Sequence, residues 1–247
     1  MKHIIRTLFL LSSILLSFNV IAQEVPDFSA RYSVNVKGLP AGELQRRLST
    51  DEQGVRTFYS RTQAKGLFAF FKPDLVEETS VWTWHNQHVR PLRYLYQRSG
   101  GKKDKKHQLS FNWQSNKIHS NNNQSMTMQE LTPHTLDKLV YQLALMADLK
   151  NNHHPLRYLI ADGNKTKTYD IEQLGEEVIN TPLGKIKTIK LLRKRSSEKS
   201  RQTTLWCAPA LSYLPIKLEH TEKSSTFTAT LNNIEGIHLD TGLPRLH

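Results

Sequence analysis

The chain has 247 residues, 34 Lys and Arg against 22 Asp and Glu for a formal net charge of +12, and one cysteine, Cys207. A lone cysteine excludes an intramolecular disulfide, so the fold must rest on a buried core, and this length suffices for one or at most two domains. The basic excess favours encounters with polyanions.

Residues 1–22 read as an export signal. Lys2, His3 and Arg6 precede the apolar Leu8 to Val20, and Val20-Ile21-Ala22 supplies a tolerated cleavage site after Ala22. The apolar run is short for a membrane span of roughly 20 residues, and no cysteine follows it to take a lipid. The expectation is a periplasmic protein, soluble after cleavage near Ala22. Export removes the chain from cytosolic nucleic acid, which leaves phospholipid headgroups, lipopolysaccharide or acidic envelope polymers as the expected anionic neighbours.

Strand patterns begin at Phe28, where Phe28, Ala30, Tyr32, Val34 and Val36 alternate with polar residues, the period of two of a half-buried strand. Gly38 to Gly42 breaks the pattern, Glu43 to Ser49 returns as a more polar partner, and Val55 to Ala64 follows the turn Asp51-Glu52-Gln53-Gly54. After the apolar run Gly66 to Phe71, Leu75 to Trp84 and Val89 to Arg98 form an expected hairpin around His85-Asn86-Gln87-His88. Ser99-Gly100-Gly101 then leads through a lysine cluster into a strand from His107 to Trp113.

The period changes at Thr132. Leu136, Leu139, Val140, Leu143 and Ala147 share one helical stripe, with Thr132 as N-cap and Pro133 at the first position, which predicts one main helix over about 133–149. Strands resume at Leu156 to Ile160, Lys165 to Ile171 and Glu176 to Asn180. A ladder follows over Leu183 to Arg193, Arg201 to Cys207 and Tyr213 to His220, and Phe227 to Ile234 is last. About a dozen short strands and one helix predict a mainly β fold, an antiparallel meander curled into a barrel or half-open barrel with the helix packed on it. The expected layout is a single β-rich domain over 23–235 and a loose tail over 236–247.

The stretch "TPLGKIKTIKL" from Thr181, followed by "RQTTLWCAPALSYLPIKLE" from Arg201, resembles the end of an exported Gram-negative family, domain of unknown function 3108. "YSVNVKGLPAGEL", "LVYQLAL" and "LIADGNKTKTYDI" extend the resemblance over nearly the whole chain after residue 22. It implies a periplasmic, β-rich protein and supplies no catalytic residues. The layout is also similar to that of periplasmic carriers of lipoproteins and lipids, an analogy of fold alone.

Motifs for catalysis are sparse. Neither a Gly-x-Ser-x-Gly elbow, a Ser-x-x-Lys pair nor a His-Glu-x-x-His metal helix occurs. Cys207 beside Trp206 needs a lowered pKa and an adjacent base to act as a nucleophile, and a packed inert thiol is the plainer account. His85 with His88, and His153 with His154, fall short of the three ligands of a catalytic zinc, so no metal and no cofactor is expected. Glu77 and Glu78 point to opposite faces of a strand and cannot act as one acid–base pair.

Three sets remain as candidate contact residues. Leu67, Phe68, Phe70 and Phe71 suit a loop that folds into a barrel mouth or touches a membrane, although burial in the core is the plainer reading. Trp82, Trp84, Tyr94, Tyr96, Phe111 and Trp113 lie on neighbouring strands and could line an apolar ligand pocket, with core packing as the plainer account. Lys102, Lys103, Lys105 and Lys106, with Arg193, Lys194 and Arg195, fall at predicted turns and suit an anionic surface. The expected function is non-enzymatic binding of a hydrophobic or acyl-bearing ligand, or an accessory role in cell-envelope assembly. The alternatives are a hydrolase or transferase acting on an envelope polymer, and a protein-interaction scaffold.

Overall fold

The computed structural model describes residues 25–71, 73–101, 103–122, 125–194 and 201–238, so the expected signal and most of the expected tail lie outside it. Its first half holds β1 (Phe28–Val36), β2 (Leu39–Thr50), β3 (Arg56–Ala64), the short helix α1 (Leu67–Phe71), β4 (Leu75–His85), β5 (His88–Ser99), β6 (Lys105–Asn112), β7 (Lys117–Asn122) and β8 (Ser125–Glu130). The second half holds β9 (Thr135–Leu136), α2 (Tyr141–Lys150), β10 (Arg157–Asp162), β11 (Lys165–Thr181), β12 (Gly184–Lys194), β13 (Arg201–Ala208), β14 (Leu214–Glu222) and β15 (Ser225–Glu235).

All fifteen strands join one sheet, in which β1 is central, β8 and β9 are the edges, and β15 pairs with β1. The chain therefore meanders outward from β1 to β8, crosses to the opposite edge, and meanders back. Every pairing is antiparallel except that of β9 with β10, which flank α2 as a small crossover unit. The expected half-open barrel with a helix is what forms.

Alternation dictates which way each strand faces. Phe28, Ala30, Tyr32 and Val34 of β1 are buried while Arg31 and Ser33 are exposed. β13 is buried on both faces from Thr203 to Ala208. One face meets the core; on the other, Trp206 lies under the Lys217 and Lys190 ammoniums, 4.2 and 5.2 Å from its ring, and donates its indole N–H to Glu177 at 3.0 Å. The interior is filled, with Tyr32, Phe58, Trp82, Tyr94, Leu109 and Ile118 from the first half meeting Leu143, Leu145, Met146 and Ile160 from the second.

Three expectations need correction. The hairpin β7–β8 leaves no strand pattern in the sequence, because Lys117–Asn122 is nearly all polar and buries little besides Ile118 and Ser120. The segments Lys165 to Ile171 and Glu176 to Asn180 are one long strand, β11, interrupted only by a register shift between Gln173 and Gly175. The main helix starts at Tyr141 and not near 133, since Thr135 and Leu136 pair with β10. Thr132 closes a local turn with Thr135. Asp137 orders the turn just before the helix, its Oδ1 accepting the backbone N–H of Leu139 and of Val140, both at 2.8 Å.

Asp137 also links the two halves. Its Oδ2 accepts the Ser80 hydroxyl at 2.5 Å, which ties β4 to the segment between β9 and α2, and both residues are wholly buried. Burial pushes the Asp137 carboxyl up to about 6, against the pull of Ser80 and the two N–H groups, with Glu78 pushing the same way. A carboxyl raised from its ordinary 3.8 favours the fold when protonated, so its contribution is full below about pH 4 and is lost as pH rises through about 6. The span corresponds to something on the order of 3 kcal/mol. Asp137→Asn keeps an acceptor for the N–H pair and a group for Ser80 but cannot titrate. Urea melts at pH 4, 5 and 7 should show the wild type losing stability relative to this variant as pH rises; parallel curves would rule the role out.

Candidate ligand cleft

Where the curled sheet meets itself without pairing, β9 and α2 lie against β5. The contact is incomplete at both ends, and each end has a hollow. At the end that carries the β4–β5 turn, a cleft of about 560 Å³ opens between that turn, α2 and β10. Its apolar wall comes from Trp84 on β4, Val89 on β5, Leu136 on β9, Ala144 and Ala147 on α2, and Leu159 on β10. The two alanines matter because a longer side chain on that face of α2 would fill the space.

The polar rim draws on residues far apart in sequence. His88 at the hairpin tip meets His134 before β9, ring centroids 4.4 Å apart, and His153 and His154 after α2 line the same cleft. The Asp148 carboxylate accepts the Tyr158 hydroxyl at 2.8 Å and contacts His153 Nδ1 at 3.4 Å. A side lobe of about 210 Å³ continues past His88 and His134 to His85, Arg90 and Trp113. The two histidine pairs visible in the sequence thus converge, together with His134, which the sequence pattern places in a helix. Among the described residues no three His, Cys, Asp or Glu side chains are placed to hold a metal. The chemistry available is an apolar wall with an imidazole-rich rim.

The opposite end of the seam has a hollow of about 530 Å³ lined by Tyr96, Lys103, Lys105, Lys106, His107 and Lys138 among others. Lys138 bridges its floor, pairing with Asp162 at 3.0 Å and lying 5.5 Å above the Tyr96 ring.

The sequence-derived candidates therefore scatter. Trp82, Tyr94 and Phe111 are core: Trp82 packs edge-on to Trp84 at 5.2 Å under the Arg56 guanidinium, and Tyr94 donates its hydroxyl to Glu78 at 2.5 Å. Trp84 lines the cleft, Trp113 its side lobe and Tyr96 the lysine hollow, so the six aromatics do not form one pocket. Phe68 packs on the core, while Leu67 and Phe70 are 73% and 87% exposed, against the expectation of burial. Lys103, Lys105 and Lys106 are at the surface. Arg193 is not a surface cation: it turns inward, lies 4.4 Å above the Tyr169 ring and donates to Thr203 at 2.8 Å and to Tyr141 at 3.3 Å. Lys102, Arg195 and the side chains of Phe71 and Lys194 lie outside the described residues.

A family model described as "Protein of unknown function (DUF3108)" matches residues 31–232. The chain belongs to this family. No curated protein matches this DUF3108 chain. Among solved structures, the β-barrel-like protein of domain of unknown function DUF1849 from Brucella abortus superimposes with a TM-score of 0.58 at 6% identity, over 87% of this chain and 99% of that one. At that identity the likeness concerns the fold alone, and it agrees with the curled sheet. A DUF1329 family protein from Desulfovibrio piger gives a TM-score of 0.24 at 13% identity over 90% and 88% of the two chains, too low to bear on the fold.

Loss of solvent at the cleft wall lowers the His88 pKa from its ordinary 6.5, the neighbouring His134 lowers it further, Asp148 opposes, and His153 adds to the lowering. His134→Ala removes both a wall and a like charge, so the His88 midpoint followed by NMR should move upward; an unchanged midpoint would mean that the rings do not meet in solution.

Proposed function

We propose that this DUF3108 protein is a non-enzymatic binding protein of the cell envelope, and that the cleft beneath α2 takes a hydrophobic or acyl-bearing ligand. The observation that carries the reading is the contrast between a filled interior and this one-sided apolar opening beside α2. Its volume falls within the range of small-molecule sites, and an apolar wall with a few convergent polar groups is their usual construction. The rim imidazoles of His88, His134, His153 and His154, with Arg157 paired to Asp170, suit a ligand whose apolar body ends in a polar, hydrogen-bonding group. The envelope location rests on the export pattern of residues 1–22.

An enzymatic reading draws no support from the thiol. Cys207 is fully buried, and burial pushes it well above its ordinary range, so it remains protonated and inert. The His153–Asp148 contact is long, and Asp148 already accepts the Tyr158 hydroxyl.

Ala147→Trp should close the cleft from the helix side while leaving the core alone, because Ala147 is only half-buried. A fluorescent fatty-acid probe should bind the wild type and bind this variant at least about tenfold more weakly, a change of about 1.4 kcal/mol, with an unchanged circular dichroism spectrum. Absence of probe binding and of any lipid copurifying from the native envelope, or equal binding by the variant, would overturn the proposal.

A further inference from the structure

In an antiparallel meander alternate connections lie at the same end of the sheet. The turns after β1, β5, β10 and β14 therefore share one end with α1, opposite the cleft. Several contacts fix these pieces together. The Lys37 N–H donates to the Thr226 carbonyl at 2.9 Å, joining the β1–β2 and β14–β15 turns, and the Lys65 N–H donates to the Ala41 carbonyl at 3.0 Å, holding α1 beside β2. Gly100, at φ +78°, comes so close to the α1–β4 link that a Cβ there would stand 2.0 Å from the Pro73 carbonyl oxygen.

This end is apolar at its tips and basic around them. Leu39, Leu67 and Phe70 are 63%, 73% and 87% exposed, and Lys37, Lys103 and Lys223 are exposed on the flanking turns. The acids nearby are mostly spoken for: Glu43 pairs with Lys65, Asp74 with Arg98 at 2.8 Å, Asp162 with Lys138 and Lys167, and Glu222 with Arg201, while Asp104 stands exposed among the lysines. On these turns the exposed lysines outnumber the exposed acids.

We propose that this end docks on an anionic phospholipid bilayer, with Leu67 and Phe70 entering the headgroup–acyl boundary and the lysines meeting the headgroups. Large apolar side chains at protruding tips, and not in a groove, fit a fluid surface that needs no matching shape, and exposed lysines around them supply the electrostatic half of the attraction.

The test is co-sedimentation with vesicles of phosphatidylcholine, with and without about one-third phosphatidylglycerol. The expected result is binding only to the anionic vesicles, weakening as salt rises. Leu67→Ser with Phe70→Ser should lower the partition coefficient by about tenfold or more, and Lys37→Glu with Lys103→Glu by a similar factor. Both pairs are exposed, and wild type and variants are compared in the form that begins after Ala22, so a loss reports on this face and not on misfolding or the N-terminal segment. Ala147→Trp should bind vesicles as the wild type does, which separates this result from that of the cleft. Equal binding by the serine variant, no binding at low salt, or vesicle-independent self-association that the serine variant abolishes would each overturn the proposal.

Discussion

The buried contact between Asp137 and Ser80 ties the two halves of the curled sheet together. A ladder of fifteen strands with edges at β8 and β9 has no hydrogen-bonded closure, so its curvature must be held from within. A carboxylate that takes one donor from β4 and two from the first turn before α2 fixes the second half of the chain against the first. Three donors also explain why a group so costly to bury is tolerated there. The apolar residues of α2 and those of β4 and β5 can then share one core.

Closure by side chains leaves gaps that closure by strands would not. The hollows at the two ends of the seam differ because the two ends collect different turns. One end gathers Trp84, the histidines and the small face of α2; the other gathers lysines around Tyr96. The same topology that creates the cleft at one end carries the exposed tips of α1 to the other. The proposed ligand cleft and the proposed docking face thus lie at opposite ends of the meander.

Inward-turned cations show how the basic composition is accommodated. Arg193 lies over Tyr169 and donates to two hydroxyls, and Arg56 lies over Trp82, pairs with Asp27 at 2.9 Å and donates to the Val25 carbonyl at 2.6 Å. Each replaces lost hydration with a ring face and oriented acceptors. Part of the positive charge is therefore structural.

The sequence alone determined the class of fold. The alternation in Phe28–Val36, the turn chemistry at Asp51–Gly54 and Asp162–Asn164, and the apolar segment that becomes α2 are local signals, and local signals survive being read one window at a time. The motifs at Thr181 and Arg201 likewise pointed to the family on their own. The long-range facts were beyond that reach. Asp137 looks like one more charge in a helical stripe until Ser80, 57 residues earlier, is beside it; His88 and His134 become neighbours only when the sheet curls; Arg193, read as a turn cation, finds its partners under α2; and Leu67 and Phe70 look like core until their segment is placed at a free end. Periodicity fixes which face a side chain takes on its own strand, whereas the contacts across the seam depend on how far the whole sheet bends, a quantity that no single segment encodes.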